Sequence, residues 1–377
     1  VTSRRSRRCC IAASLALACL AAAQEPSARA GTDDWERIRA PLALSWPRDH
    51  GAHPRFQTEW WYATGEVSSG DGRAYGYELT IFRQGLDASS PRPDESALRP
   101  RQIYAAHLAI VDVQAAKLRL AQRVRRGNAG LAGASEDDLH VWLEDWRMDR
   151  ASDDTLALHA FDRERAIALD LELAPEVPLV QHGEGGISRK GEGEGNASAY
   201  VSWVRLRTRG TIHSGRLDDG GVHVTGESWF DHEWSTSALG SGVAGWDWFG
   251  LRLADGRALM LYRLRTADGA AASASAGTLV ERDGSHRSLR AEDFRVEPVR
   301  RWSSPATHAS YPVAWKVAVP SAGIECDVAA RADDCEIDAR TSVGTIYWEG
   351  PVAASGSVAG SGYLELTGYA ASLAGRF

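Results

Sequence analysis

The chain has 377 residues, 44% of them hydrophobic and 25% charged, with a formal net charge of −7. That length suggests two domains. The acidic balance argues against nucleic acid or an anionic membrane surface as a partner.

The first element is a leader. Arginines at 4, 5, 7 and 8 precede an apolar run from Cys9 to Ala23 that ends in small residues, too short to span a bilayer comfortably. Residues 1–23 are predicted to be a secretory signal peptide cleaved after Ala21-Ala22-Ala23, with export to the periplasm or beyond the cell. A lipoprotein built on Cys19 is the weaker alternative. Val1, where an initiator methionine is expected, reads as a literally translated alternative start codon of a bacterial gene. Cleavage would remove four arginines and no acid, leaving 39 basic residues against 50 acidic, a formal charge of −11. Residues 24–50 read as an N-terminal linker.

From there the pattern is strand-rich. AYGYELTIFR (74–83), YAAHLAIVDV (104–113), LALHAFDR (156–163), IALDLEL (167–173), YVSWVRLRTRGTI (200–212) and VHVTGESWF (222–230) alternate or run apolar over short lengths. So do ALMLYRLRT (258–266), VAWKVAVP (313–320) and SGYLELTGY (361–369). Gly, Asp and Pro punctuate them, as in antiparallel barrels or sandwiches. Helical spacing is best at DDWERI (33–38) and ASEDDLHVWLEDW (134–146). QHGEGGISRKGEGEGNASAY (181–200) is Gly-rich and charged, the composition of a flexible loop or lid. Cys326 and Cys335 flank a polar turn between two short alternating stretches. They are either a disulfide of an oxidising compartment or two unpaired thiols.

An internal echo suggests two copies of one unit. EWWYATGEVSSGDGRAYGYELTIFR starts at Glu59 and GWDWFGLRLADGRALMLYRLR at Gly245. Each has paired tryptophans, a strand, a D-G-R turn and a strand ending in Arg. The domains are predicted at 51–234 and 235–377.

Candidate site residues follow from strand alternation. In SWFDHEW, Asp231 and Glu233 share one face, His232 and Trp234 the other. In EWWYA, Glu59 pairs with Trp61 and Trp60 with Tyr62. In GWDWFG, Trp246 and Trp248 share a face opposite Asp247. Single acids at such positions are ordinarily solvated. The combination of 14 tryptophans with buried-type acids instead suggests an aromatic wall for an apolar ligand, to which Tyr77 is added. An acid in such a wall has a raised pKa and can donate a proton near neutral pH. No G-x-S-x-G elbow, H-E-x-x-H or zinc-spaced Cys/His set is present.

The blocks HPRFQTEWWYATGEV, GESWFDHEW, GWDWFGLRLADGRALMLYRLR and YWEGPVAASGSVAGSGYLELTGY resemble the lipocalin-like family that includes the bacterial carotenoid 1,2-hydratases (hydroxyneurosporene synthases) and the AttH-like secreted hydrolases. The resemblance spans nearly all of the chain after residue 23. It implies an all-β fold of two lipocalin-like antiparallel barrels related by internal duplication, with a cleft between them, no metal and no organic cofactor. In hydratase members water adds across a carbon–carbon double bond. A carboxylic acid or imidazolium would protonate the alkene, aromatic faces would stabilise the cation, and a base would deprotonate the water. By resemblance, His232, Trp234 and Tyr262 match positions suspected in that chemistry. The chain departs where an acid is expected after Tyr262, since Arg263, Leu264 and Arg265 follow. The proton donor would then be Asp231, Glu233 or Asp247, or the chain is no carotenoid hydratase. Glu59 is the expected partner of His232. The reading is an exported protein that binds or acts on a hydrophobic, isoprenoid or lipid-like small molecule, with the membrane only as a ligand source. A non-catalytic carrier and a secreted hydrolase are the alternatives.

Overall fold

The computed structural model describes residues 35–374 except 90–93, 95, 97, 194, 216, 218–219, 237–238 and 240–241. The predicted signal peptide lies outside the described residues. Among the described residues, twenty-three strands form two antiparallel sheets and there is no α-helix.

The first sheet contains β1 (Thr58–Ser69), β2 (Ala74–Gly85), β3 (Gln102–Asp112), β4 (Lys117–Arg126), β5 (Ala132–Ala134), β6 (His140–Leu143) and β7 (Trp146–Arg150). It continues with β8 (Leu156–Asp162), β9 (Ile167–Pro175), β10 (Val180–Gln181), β11 (Ile187–Arg189), β12 (Ala197–Ser214) and β13 (Val222–Ser235). Its order is β4-β3-β2-β1-β13-β12-β9-β8-β7-β6-β5, with β10 and β11 also on β12. The second sheet contains β14 (Val243–Leu253), β15 (Ala258–Thr266), β16 (Ala276–Val280), β17 (His286–Arg290) and β18 (Arg295–Ser303). It ends with β19 (Ser310–Val319), β20 (Ile324–Ala330), β21 (Glu336–Ala339), β22 (Thr345–Gly356) and β23 (Gly360–Leu366). The order is β17-β16-β15-β14-β23-β22-β20-β19-β18, with β21 on β22. Both sheets curl into barrel-like bodies.

The echoed segments hold equivalent places. β1 lies between β2 and β13, the last strand of its sheet, and β14 lies between β15 and β23, the last of the other. Both hairpins turn at D-G-R, with Gly72 at φ 85° and Gly256 at φ 93°, the left-handed conformation that glycine adopts without a Cβ clash.

The main apolar clusters lie on both sides of these sheets. Trp61, Ala63, Leu79, Ile81, Leu108 and Ile110 fill the interior of the first sheet. Phe249, Leu251, Leu261, Trp315, Val317 and Trp348 fill that of the second. A third layer lies between the sheets, with Tyr62, Tyr200 and Trp229 from the first meeting Trp248, Met260, Tyr262 and Tyr363 from the second. Central strands such as β2 are therefore buried on both faces, which is why YGYELTIFR reads as a continuous run and not a clean alternation.

Three sequence expectations are corrected. Residues 134–146 are not helical: His140–Leu143 and Trp146–Arg150 are strands joined by a tight turn, because Leu139, Val141, Leu143 and Trp146 bury into the first interior with strand periodicity. Of DDWERI, the described residues Trp35–Ile38 are not helical either. Part of the Gly-rich segment is built into the sheet and is no loose lid: β10 and β11 pair with β12, and His182 and Ser188 are buried.

Cys326 and Cys335 are free, buried thiols. β20 and β21 do not pair with each other but bind different parts of β22. Cys326 lies opposite Gly356, while the Cys335 carbonyl accepts from the Glu349 amide at 3.1 Å. Those β22 positions are roughly 23 Å apart along a strand, far beyond disulfide reach.

Candidate functional site

Two buried polar groups sit on opposite faces of β1 and β13. The first lies inside the first sheet. Glu59 stands between Arg83 of β2 and Trp234 of β13, and Trp61 stands opposite His232. Arg83 donates through Nε to Glu59 Oε2 (2.8 Å), and His232 Nε2 donates to Glu59 Oε1 (2.9 Å). The chain before β1 closes over this row through a short turn at Arg48–His50. His53 then stacks on Trp234 with ring centroids 3.7 Å apart. Its Nδ1 faces Glu59 Oε1 at 2.8 Å and its Nε2 faces Asp49 Oδ1 at 3.1 Å. Its backbone amide also donates to Glu59 (2.9 Å).

Burial opposes charge on Glu59, but Arg83, His232 and His53 outweigh it and hold the carboxyl well below its usual range. Burial likewise opposes charge on His53, yet carboxylates at both ring nitrogens raise its pKa. His232 goes the other way: burial lowers it, and Glu59 only partly compensates. Glu59 and Asp49 thus face Arg83 and His53, Arg48 adds a 2.6 Å bond to Asp49 from the exposed side, and burial disfavours charge on His232. Its Nδ1 is a bare acceptor with no hydrogen-bond partner among the described residues, on a ring stacked 5.1 Å from Trp61.

The second group lies in the layer between the sheets. Asp231 accepts from Trp229 Nε1 (2.6 Å), Tyr200 Oη (2.9 Å) and the Ser202 hydroxyl, and Trp248 Nε1 donates to Tyr200 Oη (3.1 Å). Burial pushes Asp231 up to about 7, against the downward pull of these donors. Beside it are Glu78 of β2, Glu349 of β22 and Glu365 of β23. Tyr62 donates to Glu349 across the sheets, and Thr80 donates to Glu78 (2.7 Å). His107 Nδ1 lies 2.7 Å from Tyr347 Oη. Burial raises Glu78 to about 7 and Glu365 to about 8. Burial, then the charges of Glu78 and Glu365, hold Glu349 well above its usual range. Burial thus favours the protonated form of these side chains, which are set among aromatic rings, and a protonated carboxyl there can deliver a proton.

Residues 37–369 match the model of the AttH-like family. The chain belongs to the AttH-like family. Among solved structures, an AttH protein from Nitrosomonas europaea is 34% identical, with a TM-score of 0.79 over 89% of this chain and 99% of that one. Kievitone hydratase from Nectria haematococca shares the fold at 15% identity, with a TM-score of 0.66 over 89% of this chain and 96% of that one. No curated protein sequence matches the chain.

In this AttH-like chain the sequence candidates divide between the two groups. Glu59, His232, Trp61 and Trp234 belong to the first. Tyr62, Trp248, Tyr262 and Asp231 belong to the second, with Trp60 and Trp246 packed against that layer. His232 and Trp234, expected at the cleft between barrels, instead face the first interior, and Asp231 takes the inter-sheet position without a bulge between β13 and β1. Alternation fixes which residues share a face but not which face meets the other sheet. Glu233 is paired with Lys190 (3.0 Å) and bonded by Ser198, at the edge of the layer. Lys190 Nζ lies 4.3 Å from the Tyr262 ring centre, and Tyr262 Oη donates to the Arg189 carbonyl (3.0 Å).

Asp247 is an ion-pair hub. It accepts from Arg263 (2.8 Å), Arg265 (3.1 Å) and Tyr369 (2.8 Å), so the two arginines that replace the expected acid neutralise it. Tyr77 lies apart in the first interior, bonded to Ser228 (2.5 Å). The sequence reading missed His53, Asp49, Arg83, Tyr200, Glu78, Glu349 and Glu365. The signal for the three glutamates was an acid inside an apolar run, in YGYEL, YWEG and YLELT.

Proposed function

We propose that this AttH-like protein is an exported acid–base enzyme of the hydratase type, adding water to a carbon–carbon double bond of an isoprenoid or lipid-like molecule held between the two sheets. The observation that carries this reading is Asp231. Its carboxyl is oriented by three donors, pushed up to about 7 by burial and enclosed with Trp229, Trp248, Tyr200 and Tyr62. Transfer of its proton to an alkene carbon forms a C–H bond and leaves a carbocation. The negative faces of the rings stabilise that cation. Water adds to the cation through oxygen, and its surplus proton returns to the Asp231 carboxylate or a neighbouring one, so acid and alcohol are restored together. The residue 1–23 leader supports placement in the periplasm or outside the cell.

The test is incubation of the purified protein with apolar olefin extracts in ¹⁸O-labelled water, followed by mass spectrometry. Formation of a singly ¹⁸O-labelled alcohol by the wild type and its loss in Asp231→Asn supports hydration. Recovery of a tightly bound, chemically unchanged lipid from both proteins contradicts it in favour of a carrier.

A further inference from the structure

The end of the inter-sheet layer away from Glu233 holds a cation that the proposed chemistry leaves unused. Arg252 projects from β14 on the face of Trp246 and Trp248, and its side chain is only 1% exposed. None of its three guanidinium nitrogens has a hydrogen-bond partner among the described residues. Its ion-pair partner is Glu227 Oε2, 3.5 Å from Nε and outside hydrogen-bond geometry. A buried guanidinium with five unmet donors is costly, and native proteins almost always pair one.

The surroundings do not neutralise it. Glu227 is engaged by Arg205 Nη1 at 2.7 Å, and Glu66 by Arg331. Three guanidiniums thus face two carboxylates, leaving one positive charge over. Further unmet polar atoms gather at the same end: Thr64 Oγ1, Glu66 Oε2 and Arg205 Nε. Burial, more than any neighbour, lowers the pKa of Arg252, while Glu227 and Glu66 oppose that effect.

Along β13, Glu227, Trp229 and Asp231 share the face turned to the second sheet. The Arg252 end is therefore separated from the Asp231 carboxyl by roughly 13 Å, with aromatic rings between. We propose that Arg252 anchors the carboxylate of an amphipathic ligand whose apolar chain runs past Trp229 and Trp248 toward Asp231. A planar guanidinium binds a carboxylate through two parallel N–H bonds, and a monoanion supplies the one charge the cluster lacks. This assignment rests on reading the inter-sheet layer as the ligand site and narrows the ligand to apolar acids.

The test uses oleate, a long-chain carboxylate with a mid-chain double bond, against oleyl alcohol, the same chain without the charge. Binding is followed by tryptophan fluorescence and by thermal shift. The wild type is expected to bind oleate at least about tenfold more tightly than the alcohol. Arg252→Met is expected to erase that preference, keep the affinity for the alcohol and raise the melting temperature of the ligand-free protein. Should Arg252→Met fail to fold, Arg252→Lys decides, since it keeps the charge but loses the planar fork and is expected to show a reduced preference. Equal affinity for both lipids in the wild type, binding of neither, or an undiminished preference in the variant overturns the anchor. Oleate binding without ¹⁸O uptake leaves the anchor standing and counts against hydration alone.

Discussion

His232 and Glu59 are joined by a 2.9 Å hydrogen bond from Nε2 to Oε1, between adjacent strands of the first sheet. The bond fixes the tautomer: with the proton on Nε2, Nδ1 is an unprotonated acceptor beside Trp61. Glu59 meanwhile serves Arg83 and His53. The DHEW stretch is therefore polar on both faces. His232 belongs to an ion-paired cluster inside the first sheet, and Asp231 to the acid layer between the sheets.

Glu59 is the hub of its cluster, so its removal should cost more than removal of His232. Glu59→Gln leaves a buried guanidinium and an imidazolium without their shared carboxylate, at a cost of about 3–5 kcal/mol. His232→Gln removes one hydrogen bond from a charged acceptor, about 1–3 kcal/mol. Urea denaturation of both variants measures the difference. An equal or smaller loss in Glu59→Gln would show that Glu59 does not organise the group.

The acid layer predicts an unusual pH dependence. Glu78, Glu349 and Glu365 have folded-state pKa values raised above the unfolded value, the first to about 7 and the last to about 8. Their contribution is fully present below the unfolded pKa near 4.5 and is lost as pH rises through the folded values. Glu349→Gln removes one of these acids and the repulsion it feels. Its stability relative to wild type should rise with pH above the unfolded value near 4.5, by at most about 1.4 kcal/mol per pH unit for one proton. Burial-shifted histidines such as His107 and His182 act on the acid side in both proteins and cancel. Parallel stability curves for the two proteins would contradict this account.

The cysteines should be inert in the native state. Cys335 is fully buried with its thiol pKa pushed up by burial, and Cys326 donates to the Val358 carbonyl at 3.2 Å. Both should react with a thiol reagent only after unfolding, and reductant should leave the melting temperature unchanged. A reductant-sensitive melt, or a native protein with no titratable thiol after unfolding, would reveal a disulfide and overturn the strand register of β20 to β22.

The strands and their repetition were legible because turn residues and short apolar runs are local signals. The pairing of Glu59 with His232 was legible too, since both carry the aromatic-acid pattern of adjacent blocks. The assignment of Asp231 to the layer between sheets was not, because the strand that carries it is buried on both faces and only the second sheet decides which face is the site. His53 and Asp49 escaped notice because they lie before the first strand, in chain that folds back by tertiary contacts alone. Glu78, Glu349 and Glu365 come from three strands far apart in sequence, and no single window shows that they converge. Residues 134–146 were misread because their acids fall at turns, where helical and strand spacing coincide over so short a run.

The central claim is that Asp231 is a carboxylic acid poised near neutrality in an aromatic layer, and carbon-13 NMR of protein labelled at the aspartate side-chain carboxyls tests it most directly. The resonance absent from Asp231→Asn should titrate with a midpoint of about 7. A resonance already fully ionised at about pH 5, as for an ordinary aspartate, would contradict the claim and remove the proton donor from the proposed chemistry.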